Sequence, residues 1–80
     1  MPRFLIHHRH AQHECGRAYA AFKDHDSALR HRSTIASCFS EGHAIWWSVE
    51  AADEDEALAL LPFFVAERST VTHVREVAIP

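Results

Sequence analysis

Residues 43–50 read His-Ala-Ile-Trp-Trp-Ser-Val-Glu, and this stretch restricts the fold more than any other. As a strand it puts His43, Ile45, Trp47 and Val49 on one face and Ala44, Trp46, Ser48 and Glu50 on the other. Each face then carries a tryptophan. A strand with one solvated face does not need two, so both faces are expected to be covered.

The elements around it follow from local patterns. Arg3–Arg9 holds a short apolar run and then polar residues, which predicts a strand. Glu14 to Phe22 is alanine-rich, with Ala18, Ala21 and Phe22 at helical spacing, and predicts a helix. Gly16 weakens its first turn by roughly 1 kcal/mol relative to alanine. Thr34–Phe39 is strand-like, with β-branched and aromatic residues. Ser40-Glu41-Gly42 would close a hairpin onto residues 43–50, with Gly42 taking the positive φ. Asp53 is placed to cap a second helix, with Glu56 three residues on completing a capping box. Ala57, Leu58, Leu61, Phe64 and Val65 form its apolar stripe, and Pro62 should kink it. Val71–Ile79 predicts a last strand.

The resulting order, β-α-β-β-α-β, predicts an α+β, ferredoxin-like fold over residues 1–80 as a single domain. That plan has a four-stranded antiparallel sheet of order 4-1-3-2 with two helices on one face. Covering Trp46 on the other face implies a dimeric α/β barrel, with a second copy of the chain as partner.

Composition excludes several functions. Eight Lys and Arg against eleven Asp and Glu give a formal charge of −3, which leaves no electrostatic footprint for nucleic acid. No stretch approaches the roughly 18 apolar residues of a membrane span. No apolar segment follows a basic start, so no secretory signal is expected, and two cysteines do not make a disulfide framework. A reducing cytoplasm is the expected setting. A chain this short buries only roughly 60% of its unfolded surface, and such domains often gain stability from a metal or a partner.

The chemistry is concentrated in His7-His8-Arg9-His10-Ala11-Gln12-His13-Glu14-Cys15. Interrupted by Arg9, Ala11 and Gln12, the histidines do not read as an affinity tag. In the expected topology the end of the first strand lies beside the starts of the third and fourth. His43 and His73 should therefore join this edge, and Cys38 should reach it from the end of the second strand. Alternation puts His8 and His10 on one face, roughly 6.5–7 Å apart, with His7 on the other. A third donor from His13, Cys15 or His43 would complete a site of nitrogen and sulfur ligands. The candidate metal ligands are thus His8, His10, His13, Cys15 and His43, with Glu14 as a further ligand or an orienting group. Imidazole and thiolate suit a transition metal such as Ni, Cu, Zn or Fe better than Mg or Ca. His25 and His31 are expected at the surface. The competing reading of the cluster is a polar strand end that binds nothing.

Three stretches carry a resemblance: MPRFLIHHRH, IASCFSEGHAIWWSVEAADEDEALAL and VTHVREVAIP. In these the chain resembles a family of short actinobacterial proteins of unassigned function. The resemblance implies a ferredoxin-like domain forming dimeric α/β barrels, and the family includes a nickel-binding member. His7 and His8 stand where such proteins commonly have a carboxylate or base after the aliphatic residues, so no catalytic residue is carried over. The leading function is a small transition-metal-binding protein. The alternatives are a dimeric barrel enzyme of isomerase, oxygenase or haem-handling type acting on an aromatic or apolar ligand, with His8 or His43 as base, and a non-catalytic dimeric module.

Overall fold

The computed structural model describes residues 1–80. Four strands form one antiparallel sheet: β1 (Arg3–Arg9), β2 (Ile35–Ala36), β3 (Ala44–Glu50) and β4 (Ser69–Val74), in the order β2-β3-β1-β4. Three short helices accompany it: α1 (Cys15–Ala20), α2 (Glu54–Ala59) and α3 (Phe63–Ala66).

Strand alternation builds the core. Phe4, Ile6 and His8 of β1 oppose Val49, Trp47 and Ile45 of β3, and all six are buried. Ala18 of α1, Ala57 of α2, Leu61 in the connection after α2 and Val65 of α3 close over them. Ile6, Ile45 and Val65 are fully enclosed, and each contributes roughly 1.5–3 kcal/mol through the area it removes from water.

The ferredoxin-like expectation, with two helices on the sheet closing into a dimeric α/β barrel, is corrected to a small four-stranded, three-helix α+β fold. The differences lie in the elements. Pro62 does not kink one helix but divides it: α2 ends at Ala59, and Pro62, extended at ψ 154°, starts α3. Lacking an amide hydrogen, proline suits this boundary rather than a helix interior. The first helix is a single α turn and a half, flanked by 3₁₀ turns at Gln12–Glu14 and Ala21–Asp24. The expected strand Thr34–Phe39 keeps only two paired residues and then turns into a 3₁₀ segment at Cys38–Ser40. The positive φ falls on Glu41 (70°) and His43 (45°), not on Gly42. Gly42 is required for close approach instead, since a Cβ there would collide with the Ser37 side chain.

The barrel loses its basis on the open face of the sheet. His7 and Trp46 are cross-strand partners, and their rings stack at 5.2 Å and 6°. The tryptophan that called for a second sheet is half-buried, with a histidine of its own chain stacked on its ring. The last strand is also shorter and earlier than expected, ending at Val74 and not at Ile79. His73 therefore packs on Phe4 at 5.1 Å, at the far end of β1 from the other histidines.

Candidate metal centre

Three segments meet where β1 ends. β1 carries His8 on the core side and His10 follows just past its end, both buried. The His10 amide donates to the His43 carbonyl at 3.1 Å, which sets the two histidines side by side across the end of the β1–β3 pair. Their rings lie 5.6 Å apart.

Cys15 is placed by a reciprocal turn. Glu14 Oε1 accepts from the Ala11 amide at 2.9 Å, while the Glu14 amide donates to the Ala11 carbonyl at 2.9 Å. Arg68 holds the other carboxylate oxygen at 3.2 Å and lies over the Phe64 ring. The Ala11 amide and Arg68 together keep the Glu14 carboxyl below its ordinary range. This fixes the turn from which α1, and with it Cys15, begins.

Cys38 is placed by Ser37. The Ser37 carbonyl accepts from the Ser40 and Gly42 amides, and its hydroxyl accepts from the Ala44 amide at 3.2 Å. The turn at Cys38–Ser40 is thereby folded back onto the start of β3.

The outcome is a group of four donors, one each from His10, Cys15, Cys38 and His43, all within 4.8 Å of one another. Tetrahedral zinc with nitrogen and sulfur ligands needs donors roughly 3.3–3.8 Å apart, so small rotations of these side chains would close on an ion. The fit has an independent mark. Nδ1 of His43 is buried with no hydrogen-bond partner. A buried polar atom left unpaired costs roughly 1–3 kcal/mol, and nearly all such atoms in native proteins find a partner. A metal ion would supply it. His43 also holds a left-handed φ, a conformation uncommon for a residue with a side chain.

Behind the donors runs a chain of hydrogen bonds. His8 Nδ1 lies 3.2 Å from the Val65 carbonyl, which can only accept, so this nitrogen carries the proton. Nε2 of His8 then has a lone pair and accepts from Nδ1–H of His10 at 2.9 Å. That leaves Nε2 of His10 unprotonated and aimed at the Cys38 sulfur, 3.4 Å away. A backbone carbonyl thus sets the tautomer of the donor two steps on, as outer-sphere groups do for metal-bound histidines. Burial lowers the pKa of both His8 and His10, and each is further lowered by a neighbouring histidine. Neutral rings are what this relay needs.

The Tyr19 hydroxyl lies 3.4 Å from Cys38 Sγ, and burial, with the two cysteines, pushes this phenol up to about 12. The Cys15 thiol is pushed up chiefly by the adjacent Cys38 sulfur.

Of the residues singled out from the sequence, His10, Cys15 and His43 come together. His8 stands behind His10 as its hydrogen-bond partner. His13 is exposed in the turn before α1 and is not in the donor group. Glu14 is occupied by Ala11 and Arg68. Cys38, expected at this edge but not counted as a ligand, is the fourth member. The signal for it is a mirrored spacing: four residues separate His10 from Cys15, and four separate Cys38 from His43. His31 is exposed as expected, whereas His25 is half-buried, with Nε2 at 3.3 Å from the Ala59 carbonyl. No helix is long and apolar enough to cross a membrane. Comparison with family models, curated proteins and solved structures returned no match.

Proposed function

We propose that this chain is a transition-metal-binding protein whose ion is held by His10, Cys15, Cys38 and His43. The observation that carries this reading is the convergence of two imidazoles and two thiols from three separate segments within 4.8 Å. Two sulfur and two nitrogen donors with no position left open make a holding site, not one that turns over a substrate. Zinc suits this set best, with cobalt as its spectroscopic substitute; a soft donor pair also admits copper(I), and imidazole admits nickel. The ion would tie the start of α1 to the turn after β2, in a part of the chain that β2 itself secures with only two paired residues. A reducing cytoplasm, which keeps both thiols available, is the compartment this reading implies.

Native mass spectrometry of the reduced chain with Zn, Co, Ni and Cu tests it. One ion per chain is expected, with binding lost in Cys38→Ser and in His10→Ala. His13→Ala should bind as the parent does. Absence of stoichiometric binding to any of the four metals, or binding unchanged in Cys38→Ser, would refute the proposal.

A further inference from the structure

We propose that Cys15 and Cys38 form a dithiol–disulfide couple, and that their oxidation by a hydroperoxide expels the ion from the site. The expulsion rests on the metal-binding reading above; the couple does not. Both cysteines are free and half-buried, within reach of a small oxidant. Their sulfurs belong to the same group of donors, no more than 4.8 Å apart. Closing to the roughly 2.05 Å of a disulfide asks for side-chain rotation and a modest shift of two short segments. Those segments can give. Cys15 opens a six-residue helix, and Cys38 opens a three-residue turn behind a two-residue strand. No long element holds either sulfur in place.

The chemistry balances without any group beyond the oxidant. One thiolate attacks a peroxide oxygen, giving a sulfenic acid and hydroxide as the O–O bond breaks. The second thiolate attacks the sulfenic sulfur, forming the S–S bond and releasing a second hydroxide. Two protons from solvent convert these to two waters. The sulfur pair loses two electrons and the peroxide gains two. Cys38 lies between the Tyr19 hydroxyl and His10 Nε2, each at 3.4 Å, so polar groups that can move a proton flank one of the reacting sulfurs. Oxidation removes both anionic ligands at once and leaves two neutral imidazoles. A metal that depends on thiolate is then released, and reduction of the disulfide restores the site.

The test uses the reduced full chain, zinc-loaded and metal-free, treated with hydrogen peroxide. Intact mass should fall by two hydrogens while the chain stays monomeric, and both thiols should disappear together. One zinc per chain should appear in a colorimetric chelator, and dithiothreitol should restore both thiols and zinc uptake. Cys15→Ser and Cys38→Ser should show no intramolecular loss of two hydrogens. Persistence of both thiols, oxygen added to one sulfur only, or disulfides only between chains would overturn the couple. A disulfide formed with zinc retained would overturn the expulsion. If the metal-free chain closes the disulfide but the reduced chain never takes zinc, the metal reading and the expulsion fail while the couple stands.

Discussion

His8 sits with no exposed surface at the point where the core gives way to the group of His10, Cys15, Cys38 and His43. Its one acceptor lone pair holds the Nδ1–H of His10, so its replacement acts on the site without removing a donor. His8→Met leaves that N–H buried and unpaired, and zinc affinity should fall roughly 10–100-fold. His8→Gln offers an oxygen near the same position and should stay within about threefold of the parent, a tolerance set by the cost of one imperfect hydrogen bond. Competition with a calibrated chelator measures both. Equal losses in the two variants would mean that His8 acts through packing alone.

The same two histidines give the metal-free chain a pH dependence of known sign. Burial lowers the folded pKa of His8 and His10 from the ordinary 6.5. Above about 6.5 both states are neutral at these sites and stability is complete. Below it the unfolded chain takes protons that the folded chain resists, so stability falls as pH drops towards the lowered folded values. Denaturant unfolding of the metal-free, reduced chain should give a lower midpoint at pH 5.5 than at pH 7.5, an interval chosen around the histidine range. His8→Gln should narrow that difference. A midpoint that rises on acidification would contradict the burial of neutral rings.

At the scale of elements, what was legible in the sequence was what depends on neighbours close in the chain. Alternation in residues 4–8 and 43–49 separated the two faces of each strand, but not which of them is the core. The Asp53 cap was also legible: its carboxylate accepts from the Glu56 amide at 2.8 Å. What was not legible depends on contacts made after folding. Ser37 pulls the chain into a turn at Cys38, ending β2 early, because its carbonyl and hydroxyl take three amides that a strand would have used otherwise. His7 stacks on Trp46 from an adjacent strand, which alternation alone cannot reveal. Glu14 was free to be a ligand until Arg68, fifty-four residues on, claimed it. Two substitutions separate these kinds of contact. Asp53→Ala should cost about 1 kcal/mol of stability and leave zinc affinity unchanged. Gly42→Ala forces a methyl against Ser37, should cost about 1–3 kcal/mol, and should weaken zinc binding because the Cys38 turn must move. Thermal unfolding and chelator competition on the same samples read both effects. Unchanged zinc affinity in Gly42→Ala would show that the Ser37 turn does not position Cys38.

Over the whole molecule, a core of ten buried apolar residues lies between the sheet and three short helices. Its strongest pairing is central, β1 between β3 and β4, while β2 is barely attached. The four donors lie at the end where this pairing runs out, and they join three segments that backbone hydrogen bonds connect only sparsely. A metal there would stabilise the chain by linking what the core does not reach, since binding free energy in such a site is folding free energy. The most direct measurement is X-ray absorption at the zinc edge of the reduced, zinc-loaded chain. Two sulfur ligands at roughly 2.3 Å and two nitrogen ligands at roughly 2.0–2.1 Å are expected. A first shell of nitrogen and oxygen alone, with no sulfur, would contradict the assignment of Cys15 and Cys38 to the site.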